Sequence, residues 1–127
     1  MDGRQTAFRV LLRVERENAY SNLALDAELK RSANGAPTAF VTALVYGVLE
    51  RHITLDLILP QHLLKPLHKF RPEVRVILRM CVWQLYFMDK VPASSAVHEN
   101  VLLVKNNALP SASRTVIHDL RTFASPM

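Results

Sequence analysis

The sequence predicts an all-α fold. Apolar residues recur at i, i+3, i+4 and i+7 spacing in successive segments, the stripe of core-facing helices. Only three glycines occur among 127 residues, so few tight turns are available. No stretch alternates apolar and polar side chains as a half-buried strand would. The expected architecture is a bundle of about six or seven helices, forming one domain over residues 1–127.

The first helix is predicted from Arg4 to Glu17, with Ala7, Val10, Leu11 and Val14 on its inner face. "ENAYSN" interrupts the pattern. Ser21 or Asn22 is placed to cap a second helix through "LALDAELKR". "SANGAP" reads as a loop, with Gly35 suited to ending one element and Pro37 to starting the next. From Thr38 the apolar positions Phe40, Leu44, Val48, Leu55 and Leu59 describe one long helix, or two joined near Arg51 and His52. Pro60 must end it. "QHLLKPLHKF" reads as a short helix and a turn. Pro72 fits the first turn of the next helix, with Glu73 near its positive end. That helix runs through Val74, Ile77, Leu78, Cys81, Leu85 and Met88. Ser94 or Ser95 is placed to cap "AVHENVLLVK", and Ser111 or Ser113 a last helix with Val116, Ile117, Leu120 and Phe123 inward.

Half the residues are hydrophobic and 21% are charged, an ordinary globular composition. The formal net charge of +5 biases so small a domain toward polyanions, above all nucleic acid. The single cysteine excludes an internal disulfide and fits a reducing, cytoplasmic setting. The N-terminus carries a charge every few residues, unlike a signal peptide. No apolar run reaches the length of a membrane span. The five histidines show no metal-ligand spacing, so no metal is expected. No phosphate-cradling glycine loop or nucleophile elbow is present, and no cofactor is expected in this chain.

Two groups of residues stand out. At about 100° per residue, Arg9, Arg13 and Arg16 lie along one arc of the first helix, opposite its apolar stripe. Such a line of guanidinium groups can track the phosphates of a nucleic-acid backbone. Gln5 falls near the same arc, Arg4 sits in the first turn, and Lys30 and Arg31 extend the patch. The second group lies in "LRMCVWQLYFMDKVP". Cys81 is flanked one turn away by Ile77 and Leu85, the position of a small core side chain rather than a nucleophile. Arg79 in this apolar context needs a carboxylate, and Glu99 is the first candidate for that inter-helix tie, with Asp56 the other. Gln84 is expected to satisfy a backbone group at a helix end.

"FVTALVYGVLERHITLDLIL", "VRVILRMCVWQLYFMDKVPASSAVHENVLLVK" and "LRTFA" together resemble the NusB-like domain over nearly the whole chain. The resemblance is nearest to the version at the N-terminus of bacterial ribosomal RNA cytosine-C5 methyltransferases (the Sun/Fmu type). It implies two packed helical subdomains and RNA binding through the basic first helix. Arg4 matches the basic residue that opens that helix in the family. Arg79, Gln84 and Glu99 match its recurrent "LR…QL…VP…E" pattern. Pro37-Thr38 departs from the usual acidic-basic pair, and "TVIHDLR" from the usual "FVNAVLR". The methyltransferase strands and catalytic cysteine motif have no counterpart here. The resemblance implies a non-catalytic module that helps a methyltransferase engage ribosomal RNA. Two alternatives stand beside it. One is a free-standing antitermination factor that binds RNA with a small ribosomal protein. The other is a docking or dimerisation module using Trp83, Tyr86 and Phe87, with a catalytic domain as one possible partner.

Overall fold

The computed structural model describes residues 3–32, 35, 37–63, 65–88, 92–107, 118 and 121. Six α-helices occur among them: α1 (Arg4–Glu17), α2 (Ser21–Arg31), α3 (Thr38–Glu50), α4 (His52–Ile58), α5 (Pro72–Phe87) and α6 (Ala93–Asn106). Two short 3₁₀ turns, Leu59–Gln61 and Leu67–Lys69, join α4 to α5. No strand occurs among the described residues. The last helix expected from the sequence falls mostly outside them; His118 and Arg121 are both helical.

Helix α1 ends at Asn18, whose φ of 53° is left-handed and whose N–H returns to the Arg13 carbonyl. Asparagine tolerates this conformation better than most side chains, which is why "ENAYSN" stops the helix. The expected caps of α2 and α6 do not form, and Ser111 and Ser113 lie outside the described residues. Tyr20 takes the cap position of α2 and Pro92 that of α6, both with extended ψ, and neither helix has a side-chain cap. The fixed φ of Pro92 starts α6 one residue before Ser94. Gly35 lies in a turn beyond the α2 C-cap Ser32, and Pro37 caps α3 rather than entering it. The long apolar segment divides at Arg51 (φ −107°, ψ 19°), giving α3 and α4 rather than one rod. Pro72 opens α5 with Glu73 in its first turn, as the sequence predicts.

One continuous core joins the helices. Helix α5 lies at its centre and buries ten consecutive-to-near-consecutive side chains from Val74 to Gln84, packing on α1, α3, α4 and α6. Ala7, Val10 and Leu11 of α1 meet Val41, Leu44 and Val48 of α3 in the same cluster. Helix α3 approaches α5 through Gly47. A Cβ at that position would overlap the Trp83 indole. Gly3 has φ +88°, and a Cβ there would lie 2.8 Å from Val41 Cγ2, so the entry into α1 also requires glycine.

An ion-pair network centred on buried Arg79, with half-buried Arg75, Glu15 and Asp56 around it, sets how α1, α4 and α5 meet. Arg79, 6% exposed, donates from Nε and Nη2 to the two Asp56 oxygens at 2.8 and 3.1 Å. Its Nη1 reaches Glu15 Oε2 at 3.3 Å. Arg75 holds the other Glu15 oxygen at 3.2 Å and donates to the Phe70 carbonyl. Arg79 is thus an inter-helix tie, but its carboxylates are Asp56 and Glu15, not Glu99. Glu99 sits on α6, on a different side of the bundle, beside Arg4 and Arg9. Cys81 is fully buried, and burial pushes its thiol from 9.0 up to about 12 while the Arg4 charge pulls it down.

Three outcomes are expected. Gly47→Ala gains about 1 kcal/mol of helix propensity. The collision with Trp83 outweighs it, and urea unfolding should show a net loss of about 1–3 kcal/mol; a neutral result would mean the indole is elsewhere. Breaking a fully buried pair costs about 3–5 kcal/mol. Arg79→Ala should fall short of that because the Asp56 and Glu15 carboxylates it leaves are partly exposed, Asp56→Ala should cost at least as much because it strands buried Arg79 on Glu15, and Glu99→Ala should stay within about 0.5 kcal/mol. A raised thiol pKa adds stability that is intact below pH 9.0 and lost as pH climbs toward 12. The stability difference between wild type and Cys81→Ala should therefore shrink across that window, and a thiol reagent at mildly alkaline pH should label Cys81 only after unfolding.

Candidate nucleic-acid interface

Helix α1 presents its charged residues in the order the sequence sets, but the structure gives them different work. Arg9 is exposed and makes no ion pair among the described residues. Arg13 is half-exposed and reaches Glu28 Oε2 at 3.5 Å and Glu17 Oε2 at 3.8 Å. Arg16 reaches Glu73 Oε2 at 3.8 Å. On α2, Lys30 pairs with Asp26 at 3.0 Å and Arg31 with Glu28 at 3.3 Å.

Arg4 is not a surface cation. It is 7% exposed, donates from Nε to Gln84 Oε1 at 2.7 Å, and lies 5.2 Å from the centre of the Phe40 ring. Burial of an arginine requires such partners. Gln84 in turn donates to the Met80 carbonyl one turn back at 2.9 Å. Its role is therefore to receive Arg4 from inside α5, not to close a helix end. Gln5 forms a reciprocal amide pair with Asn107, with N···O distances of 3.1 and 3.2 Å, joining the start of α1 to the end of α6.

Between these two helix ends lies a groove of about 640 Å³. Arg4, Gln5 and Arg9 form one wall; Glu99, Leu102, Leu103, Asn106 and Asn107 form the other. Arg9 stands at its lip with amide donors and acceptors around it. The arrangement can bind an anion through Arg9 and read polar edges through Gln5, Asn106 and Asn107. Glu99 limits how much negative charge enters.

The structure thus brings Arg4, Gln5 and Arg9 together with α6. Arg13 and Arg16, further along the same arc of α1, and Lys30 and Arg31 on α2 do not line the groove, and each has a carboxylate. Glu28, which holds both Arg13 and Arg31, is 2% exposed and was not singled out in the sequence. Its signal was present: it follows Ala24 and Leu25 on the inward stripe of α2. Asn106 and Asn107, which sequence analysis did not select, end α6 and line the groove. Of the three aromatic residues considered for docking, Trp83 is buried, Phe87 is partly buried beneath Arg51, and Tyr86 is 51% exposed. No cluster of three or more His, Cys, Asp or Glu side chains able to hold a metal occurs among the described residues. No described helix is long and apolar enough to cross a membrane.

The chain is similar to known proteins along most of its length. It is 37% identical, over 97% of its residues, to a probable ribosomal RNA small subunit methyltransferase B from Synechocystis sp., of which it spans 28%. It is 29% identical, over 89% of its residues, to the transcription antitermination protein NusB of Bacillus velezensis, of which it spans 85%. Its fold superposes with a TM-score of 0.84 on a protein in a crystal structure of antitermination factors NusB and NusE in complex with double-stranded RNA. That match covers 96% of this chain and 92% of the other at 23% identity. The profile of the NusB family matches residues 1–116. Core, helix order and sequence agree, and the chain belongs to the NusB family.

Proposed function

We propose that this chain is a non-catalytic RNA-binding domain that helps a ribosomal RNA methyltransferase engage its substrate, with the α1–α6 groove as the point of contact. The single observation that carries the reading is Arg9, an exposed guanidinium with no ion pair among the described residues, lining a groove with side-chain amides and one carboxylate, Glu99. The methyltransferase relative, matched along nearly the whole of this chain, supports the context.

The arginines of α1 contribute unequally. A phosphate gains most from Arg9, which has no partner to give up. Arg16 holds Glu73 at 3.8 Å with half its side chain in water. Such pairs contribute roughly 0–1 kcal/mol, so an arriving phosphate can displace the carboxylate. Arg13 is different. Its partner Glu28 is buried, and withdrawing Arg13 would leave that carboxylate to Arg31 alone. Arg13 therefore acts on the fold more than on RNA.

A second reading is a free-standing antitermination factor. What supports it is similarity: the chain matches an antitermination protein over 89% of its residues. Such a factor would bind one linear RNA element together with a small ribosomal protein.

Fluorescence anisotropy across a salt series tests both. Each lost phosphate contact lowers the slope of log K against log salt by about 0.7–0.9. Arg9→Ala should show that loss, Arg16→Ala a similar or smaller one, and Arg13→Ala mainly a fall in unfolding free energy. An Arg9→Ala slope equal to wild type would remove the groove from the RNA interface. Preference for a ribosomal RNA fragment favours the first reading; preference for a linear element, strengthened by a ribosomal protein, favours the second.

A further inference from the structure

The connection between α4 and α5 carries a second set of basic residues. From Pro60 to Arg71 the sequence has two lysines, one arginine and two histidines, and no carboxylate. Lys65, His68, Lys69 and Arg71 are all exposed. Lys65, His68 and Lys69 make no ion pair among the described residues. Arg71 reaches Glu73 Oε2 at 3.2 Å, the same oxygen that Arg16 approaches from α1. The guanidinium groups of Arg16 and Arg71 therefore share one carboxylate oxygen, and the C-terminal end of the α1 arc meets this connection there.

The connection is also held in shape. Phe70 is buried, and Arg75 donates to its carbonyl. The Lys69 and Phe70 N–H groups close the 3₁₀ turn on the Pro66 and Leu67 carbonyls at 3.0 and 3.1 Å. Lys65 Nζ lies 4.5 Å from the centre of the Phe70 ring, which fixes where that charge is presented. Behind the cations is a cleft of about 960 Å³, with Leu63, Pro66 and Leu67 as apolar walls and Lys65 and His68 at its edge. Arg75 and Arg79 line its far side, engaged with Glu15 and Asp56.

We infer that single-stranded RNA bound at α1 continues past Arg16 onto Arg71, Lys69 and Lys65, its backbone on these cations and an unpaired base against the apolar walls of the cleft. This inference rests on the RNA-binding reading above and extends its path. Cations repeated across two elements suit a periodic polyanion better than the few carboxylates of a peptide. The cleft suits a splayed base, whose faces are apolar, and a continuous duplex would not offer one.

The test uses the whole chain and two unstructured RNAs, one of about 5 and one of about 16 nucleotides, which bracket common single-strand site sizes. Wild type should bind the longer RNA more tightly and with a steeper salt slope. A Lys65→Ala/Lys69→Ala/Arg71→Ala variant should lose roughly two units of that slope, at about 0.7 per phosphate, yet bind the short RNA as wild type does. Arg9→Ala should weaken both. Circular dichroism checks the fold. A Lys65→Gln/Lys69→Gln variant keeps the Arg71–Glu73 pair and should still lose about 1.4 units. If both variants match wild type on the long RNA while Arg9→Ala is weakened, the path ends on α1 and the inference fails alone. If wild type binds neither RNA at low salt, the RNA-binding reading itself fails. If the variants keep RNA binding but lose binding to poly-glutamate, the surface receives an acidic protein segment and the RNA path is overturned.

Discussion

The fold depends on where the charge of Arg79 goes. A guanidinium that is 6% exposed reaches little water, so the chain must bring carboxylates to it. Asp56 takes two of its nitrogens and Glu15 a third. One of these residues is on α4 and the other on α1, so satisfying one side chain of α5 fixes the placement of two further helices. Arg75 repeats the pattern one turn earlier by holding Glu15 and the Phe70 carbonyl. The approach of the α4–α5 connection to α5 is set by the same residues that anchor α1.

This division of labour explains why a basic chain does not offer all its cations to a partner. Arg79, Arg75, Arg13 and Arg4 lie against carboxylates, an amide or an aromatic ring, and each spans two elements. They contribute to structure. Arg9, Lys65 and Lys69 contribute to the external field. Net charge measures the sum of the two groups, whereas affinity for a polyanion follows the second. The arc on α1 is real as geometry, but buried Glu28 and half-buried Glu73 remove much of its charge and shift the positive surface toward the two ends of the helix.

The helices were legible because apolar periodicity reports burial directly. Helices α1, α2, α5 and α6 match their expected spans closely, and the long apolar segment divides at Arg51, where two polar residues interrupt the stripe. Side-chain pairing was less legible. Glu99 and Asp56 were both plausible for Arg79, because sequence spacing gives the side of a helix but not how neighbouring helices are rotated against each other. The partners that formed are separated from Arg79 by 23 and 64 positions. Arg4 was misplaced for a related reason. Its position in the first turn suggested exposure, and only the crossing of α1 over α5 carries it onto Gln84 and Phe40. Helix caps failed where proline or tyrosine geometry started a helix before the expected serine. The groove itself was half legible: Gln5 and Arg9 were chosen from α1, while Asn106 and Asn107 were missed because nothing local marks the end of α6 as a wall.

The contact between Gly47 and Trp83 has an experimental consequence. The chain holds one tryptophan. Its indole is 8% exposed, pressed against the backbone of α3, and is not among the residues lining the groove. Its emission therefore reports on the integrity of the core from a position that RNA at Arg9 does not touch. A labelled RNA observed by its own dye and the protein observed by its indole give two independent optical signals in one cuvette, so loss of binding and loss of folding are separable in the same sample.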